Sequence, residues 1–338
     1  MRSRCRTRSS RCRSRCRMLY HLMNHVLMGF GVSFNALALL AIARNTPPPM
    51  RDYSIIIFNT SLNDLWTMAL HLLLNGRLFI LDKVVAHMSN GPCRFVSNFF
   101  CSVMYEINHQ AIMQTCSLIA ISFWKRTLTE DKGSVGWCRL QIAILLAYIP
   151  HVPQTFAFFV TLHQRETLES FISSVYGPGD ADEYAVGGII DASEPLSAYV
   201  IGHFLMFATI MYTYIFFKRR AVLGALAERA GKMSSKTREM HQSLVKVLSI
   251  HSLLPTCTMF GFVSMFIQMA DVYHSVELER SIYTIATFPS IVNPVLTLYY
   301  IKPYRVLLPF GMRFWTTSAT TTTPSVGQAS VTSLSTKF

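Results

Sequence analysis

Tyr105, Asn108, His109 and Ile112 recur at i, i+3, i+4 and i+7 within a long apolar stretch, and Glu106 stands beside them. On a helix that spacing puts the first four on one face. Ionisable side chains at membrane depth are costly and mark functional sites by default, so Glu106 and His109 are candidates to hydrogen-bond a small ligand, or each other. A helix-packing pair close to the membrane interface is the alternative for the same two residues. His203 and His251 suit helix packing. The other ionisable residue at such depth is Asp64. A carboxylate there costs about 2.5 kcal/mol or more unless paired or hydrated, so Asp64 is expected to face inward, toward amides and water. None of this is catalytic chemistry: there is no Gly-rich phosphate loop, no His-x-x-x-His metal pair and no usable Ser/His/Asp set. Binding without an enzymatic step, cofactor or metal is the expectation.

The elements that must carry these residues are hydrophobic helices. The 338-residue chain is 51% hydrophobic and 14% charged, well below the roughly 25% charged residues of soluble domains. Seven stretches reach the roughly 20 apolar residues that a helix needs to span hydrocarbon: 18–43, 53–76, 95–124, 140–164, 195–217, 247–270 and 281–301. Within them only Asp64 and Glu106 are formally charged. Prolines 150, 153, 255, 289 and 294 read as kinks, tolerated because neighbouring helices, hydroxyls and water satisfy the freed carbonyls. The expected fold is an all-α membrane protein, a seven-transmembrane helix bundle spanning residues 18–315.

Lys and Arg orient the bundle. With the N-terminus outside, the cytoplasmic segments hold 18 of them and the exterior loops 5. The positive-inside rule therefore predicts N-out and C-in. The tract 1–17 carries eight arginines and runs against the rule. It reads as a signal sequence, a nucleic-acid-binding Arg/Ser tract, or a mispredicted extension of a protein starting at Met18, and the last removes the conflict. Nothing else in the chain resembles a nucleic-acid module. Cys93 and Cys101 fall at the outer end of the third stretch, where spacing alone leaves a bond between them open. The sequon at Asn59 lies inside the second stretch, which argues against its glycosylation. Gly224 to Gly231 extends the fifth stretch as a basic amphipathic segment suited to anionic lipid or an acidic partner. The Thr/Ser-rich tail 316–338 has too little apolar content to fold.

Several runs together carry a resemblance: Asn59-Thr60-Ser61-Leu62-Asn63-Asp64-Leu65; Gly91-Pro92-Cys93-Arg94; Lys232-Met233-Ser234-Ser235-Lys236-Thr237 with His241 and Leu244; Leu254-Pro255; and Lys302-Pro303-Tyr304-Arg305. From Met18 to about Phe310 the chain resembles the nematode serpentine chemoreceptors, most of all those of class delta. The resemblance implies a chemosensory G-protein-coupled receptor with a small odorant or pheromone as ligand and a heterotrimeric G protein as partner. It also implies a plasma-membrane setting, the cilia of sensory neurons among the sites the family allows. From the wider rhodopsin-like pattern, Asn35, Asp64 and Asn293 before Pro294 look like three polar anchors that meet in the bundle. By gap-free counting Thr115 is a neighbour of Asp64. The set reads as a hydrated switch with room for sodium, or as hydrogen-bonding glue between helices worth roughly 0.6 to 2 kcal/mol per bond.

Arg126 stands where such receptors place the arginine that engages the G protein. Lys218, Arg219, Arg220, Lys302 and Arg305 share the same expected face. Trp124 and Lys125 precede Arg126 where an acidic residue is usual, and Thr297 stands where a tyrosine closes the Asn293-Pro294 motif. The carboxylate lock is thus missing, and a plain positive-inside arginine is the alternative reading of Arg126. A transporter should show internal repeats with matched broken helices, and a channel a polar stripe through the full bilayer depth. Neither pattern is visible. The alternatives are a non-receptor seven-helix transporter or channel, or a decayed receptor.

Overall fold

The computed structural model describes residues 10–132, 136–176, 183–229 and 246–307. The first residues of the basic tract, the Lys232 to Leu244 run, Arg313 and the Thr-rich tail lie outside them. Seven helical spans appear. They are α1 (Ser10–Asn45), α2 (Arg51–Leu74), α3 (Asn98–Lys132), the pair α4 (Trp137–Leu146) and α5 (Val152–Thr161), α7 (Pro195–Arg229), residues 246–251 followed by α8 (Pro255–Met269), and α9 (Val276–Tyr300). A short helix, α6 (Arg165–Tyr176), precedes the fifth span.

Among the described residues, five segments suffice by length and apolar composition to cross a membrane: Leu22–Asn45, Trp137–Thr161, Pro195–Ala225, Lys246–Met269 and Val276–Tyr300. The other two spans, α2 and α3, are the more polar ones, and they turn their polar side chains inward. Asp64, His71, Glu106, Asn108 and Gln114 are all buried. The outside of the bundle shows the reverse, with Trp66, Phe156, Ile210, Phe217 and Phe260 exposed. Apolar outside and polar inside is the arrangement that hydrocarbon solvent selects.

The prolines act locally, as their chemistry requires. Pro150 and Pro153 do more than kink the fourth span: they split it at a 3-10 turn, Ile149–His151, and His203 Nε2 on α7 meets the Pro150 carbonyl at 3.1 Å. Pro255 opens α8 after a turn, while Pro289 and Pro294 lie inside α9. Observed boundaries shift accordingly. α1 begins at Ser10 rather than Met18, α3 at Asn98 rather than Phe95, and α9 at Val276, capped by the Ser275 hydroxyl on the Leu278 amide at 3.1 Å.

The all-α expectation misses a sheet. β1 (Gly76–Leu81) and β2 (Val84–Ser89) form a hairpin, and β4 (Ala185–Ile189) and β3 (His163–Gln164) extend it antiparallel in the order β1-β2-β4-β3. The hairpin turns at Asp82, whose φ of 51° is left-handed, a conformation that Asp tolerates. Side chains alternate across the sheet. Phe79, Val84, Ala86 and Met88 pack on Leu168 and Ile172 of α6, while Leu78 and Ile80 pack on Met265 and Ile282 at the mouth of the bundle. Gly187 and Gly188 let β4 lie flush: a Cβ on Gly188 would run into Val85 and Ala86, and one on Gly187 into Ser102 and His87.

Two links tie this sheet end together. Cys93 and Cys101, both buried, form a disulfide with a Cα–Cα distance of 5.2 Å, joining the turn before α3 to its first helical residues. The Arg77 guanidinium is buried 3.4 Å from Glu279 of α9 and lies 4.7 Å over the Tyr184 ring.

Candidate functional site

Beneath the sheet the helices enclose a cavity of about 140 Å³. α3 supplies one wall with Tyr105, Glu106, Asn108, His109 and Ile112, the five residues singled out by spacing. The other walls are largely apolar, from Phe158 of α5, Phe204 of α7, Phe262 of α8 and Ala286 of α9, with Gln154, Thr258 and Tyr283 as their polar members. The sheet closes the top with Leu78, Val85, His87 and Ile189. Aromatic rings meet around the space: Tyr105 stacks on His87 with centroids 4.5 Å apart, and Phe204 lies 4.1 Å from Phe262.

Glu106 is held by its own helix and by the broken fourth span. Its Oε1 accepts from Thr155 Oγ1 at 3.0 Å and from Gln110 Nε2, and that amide also donates to Gln154 and Thr155. Gln110 and Thr155 escaped the sequence reading, although Gln110 follows Glu106 by one turn. Glu106 Oε2 lies 3.9 Å from His109 Nδ1, beyond hydrogen-bond distance. His87, in the sheet, meets Ser102 Oγ at 3.1 Å, and burial pushes its imidazole down to about 3, so it is neutral at ordinary pH. His109, His151 and His203 cluster near Glu106, with the His151 and His203 rings 5.5 Å apart. Among the described residues no three His, Cys, Asp or Glu side chains are grouped to hold a metal.

Deeper in the bundle, three spans meet through polar side chains. Asn293 Nδ2 donates to Asp64 Oδ2 at 3.0 Å, linking α9 to α2. Asn35 Nδ2 donates to the Gly31 carbonyl at 2.9 Å on its own helix and to the Ser290 carbonyl at 3.0 Å on α9. That second bond has a covalent cause. Pro294 has no N–H to give the carbonyl four residues earlier, which is Ser290, and Asn35 supplies the donor instead. Thr115 bonds one residue away from the expected place: it meets Asn63 Nδ2 at 3.1 Å, not Asp64. Asn63 also donates to the Ala111 carbonyl at 2.9 Å, so α2 and α3 are joined at Asn63 and α2 and α9 at Asp64.

The end of the bundle away from the sheet is basic. Arg126 is half-buried near the end of α3, within electrostatic reach of the Tyr53 hydroxyl. Lys218 and Arg220 on α7 fold over Tyr214 and Phe216 at 5.7 and 4.7 Å, and Arg219 lies between them. A 3-10 turn, Lys302–Leu307, follows α9 and carries exposed Lys302 and half-buried Arg305, whose Nε donates to the Tyr299 carbonyl at 2.5 Å. Tyr304 anchors this turn, buried against Ala38, Ile57 and Leu298 with its hydroxyl 3.0 Å from Thr46.

Comparison with known proteins agrees with this architecture. The crystal structure of squid rhodopsin superposes with a TM-score of 0.55, covering 84% of this chain and 77% of that one at 11% identity, which speaks to the fold alone. Serpentine receptor class delta-18 of Caenorhabditis elegans is 27% identical over 273 residues, 80% of this chain and 81% of the relative. Serpentine receptor class delta-3 of the same organism is 22% identical over 297 residues, 86% of each chain. Residues 20–308 match the family model described as serpentine type 7TM GPCR chemoreceptor Srd. With a match over most of its length, this multi-pass membrane protein belongs to the Srd family of serpentine chemoreceptors.

Proposed function

We propose that this chain is a chemosensory G-protein-coupled receptor that binds a small odorant or pheromone in the cavity under the sheet and activates a heterotrimeric G protein at its basic end. In this reading the N-terminus and the sheet are extracellular, the Lys- and Arg-rich end is cytoplasmic, and the receptor works in the plasma membrane, the sensory cilium being one such site. One observation carries the proposal. A single helix, α3, lines the cavity with Tyr105 to Ile112 and runs on to Arg126 at the basic end. A ligand that fits one packing of α3 better than another shifts the bundle by its differential affinity, and the shift reaches the surface where Arg126, Lys218, Arg219, Arg220, Lys302 and Arg305 would meet the G protein. The Asn35, Asp64, Asn293 and Pro294 network lies between the two ends and supports a role as the switch, with Thr115 and Asn63 holding α3 to α2.

The test is expression with a promiscuous G protein and a calcium readout against a panel of small odorants. At least one compound is expected to raise calcium, and Arg126→Ala is expected to abolish the rise at equal surface level. An odorant-evoked ion flux that persists in Arg126→Ala cells and without the G protein would contradict the receptor reading and favour a channel.

A further inference from the structure

Glu106 is only half satisfied. Its Oε1 has donors, whereas Oε2 makes no hydrogen bond in a residue 2% exposed. Asn108 Oδ1 and His109 Nδ1, on the same wall of the same cavity, and the Tyr283 hydroxyl, also in its lining, are buried and without hydrogen-bond partners. Buried polar atoms are nearly always paired, and several orphans around one void indicate a missing partner. What is missing can be read from the types present. A carboxylate oxygen and an amide oxygen only accept, so the partner must donate. Among the described residues, Glu106 is the one formally charged side chain on the cavity wall, with no Lys or Arg opposite it. A buried carboxylate whose one nearby candidate counter-charge, the His109 imidazole, stands 3.9 Å away is poorly compensated, so a donor carrying positive charge is favoured over a neutral one. The rings of Tyr105, Phe158 and Tyr283 face the same space and present the surfaces that attract an ammonium group.

We propose that the cavity selects a small protonated amine on an apolar skeleton. The N–H groups go to Glu106 Oε2 and Asn108 Oδ1, and the skeleton lies among Ile112, Phe204 and Phe262. This rests on the cavity being the receptor's ligand site. Size narrows the class further, since an apolar cavity on the order of 150 Å³ admits a benzene-sized molecule, and about 140 Å³ is open here. The amine therefore has a ring or a short branched chain, not a polycyclic body.

The experiment uses the full-length receptor, purified in detergent, with thermal unfolding as the binding readout and calcium release as the functional one. Benzylamine, cyclohexylamine and isopentylamine are compared with benzyl alcohol, cyclohexanol and isopentanol. At least one amine is expected to stabilise the receptor at about 30-fold lower concentration than its alcohol, the low end for losing one partner of a buried charged contact. Glu106→Gln should bring that amine to within about threefold of its alcohol and leave the alcohol's own effect in place. Should Glu106→Gln fail to fold, the wild-type series and Asn108→Leu, expected to weaken the amine more than the alcohol, carry the same test. Alcohols acting as well as amines in the wild type would overturn the amine assignment and leave the receptor reading intact. A folded receptor that none of the six stabilises overturns it as well, and if the wider odorant panel is also silent the receptor reading fails with it.

Discussion

Asp64 and Glu106 are the two charged side chains inside the apolar stretches, and the fold treats them differently. Asp64 is fully buried and joined across helices, its Oδ2 to Asn293 of α9 while its Oδ1 has no hydrogen-bond partner, and it does not line the cavity under the sheet. Glu106 is braced from behind, by Gln110 of its own helix and Thr155 of α5, and its other oxygen borders the cavity. The same chemistry thus serves a joint in one place and a binding wall in the other. The difference lies in what surrounds the carboxylate, a property of three-dimensional packing that residue type does not carry.

Disturbing the two regions should therefore give different kinds of loss. The largest effect is expected at the buried Arg77–Glu279 pair that holds the sheet to α9. Arg77→Met removes one side of the buried ion pair and should cost about 3–5 kcal/mol in denaturant unfolding, whereas Arg77→Met with Glu279→Leu should recover most of it. If the double variant is as unstable as the single one, the sheet is not held by this pair in the way described.

At the joint, Asn35→Ala strips the Ser290 carbonyl of its donor and should cost about 1–3 kcal/mol. In a Pro294→Ala background the restored backbone N–H can serve that carbonyl, so the same substitution should cost clearly less. Equal costs in both backgrounds would mean that Asn35 is not compensating for the proline.

His87 makes the sheet end sensitive to pH. Its folded-state value of about 3 lies far below the unfolded one near 6.5, so the unfolded chain binds the extra proton first. Stability should be unaffected by this group above pH 6.5 and fall as pH drops from there toward 3, by up to about 1.4 kcal/mol per unit. Unfolding midpoints against pH should lose that slope in His87→Phe.

The smallest change in stability is expected for Glu106→Gln, within about 1 kcal/mol, because Gln keeps an acceptor for Thr155 and Gln110. Its ligand response should nonetheless change, which separates a binding wall from a joint. A stability loss as large as that of Asn35→Ala would erase the distinction between the two carboxylates.

The helices were legible because hydrocarbon imposes a length and a composition that survive in any window of the sequence. The α3 wall was legible too, since helical periodicity alone puts Tyr105, Asn108, His109 and Ile112 on one side. What escaped notice depends on contacts between distant segments. The run Arg77 to Met88 does carry a hairpin signal, apolar and β-branched residues on both sides of Asp82-Lys83. Its pairing partner β4 lies about a hundred residues on, out of reach of any local pattern. The Cys93–Cys101 bond needed the turn that brings the two Cα atoms to 5.2 Å. Thr115 went to Asn63 instead of Asp64 because counting along helices gives the height of a residue but not its rotation toward a neighbour. The fourth span broke where a kink was expected because Pro150 and Pro153 act within one turn of each other, and α5, which starts at the break, brings Thr155 to Glu106 and Gln154 to Gln110.

The central claim is that the cavity under the sheet is where a chemical signal enters. It is tested most directly by filling the cavity from its own wall and recording odorant-evoked calcium at matched surface expression. Ile112→Trp should shift the half-maximal concentration of an active odorant upward by at least about 100-fold, the added ring occupying space the ligand needs. An unchanged concentration dependence in that variant would place the ligand elsewhere and contradict the account.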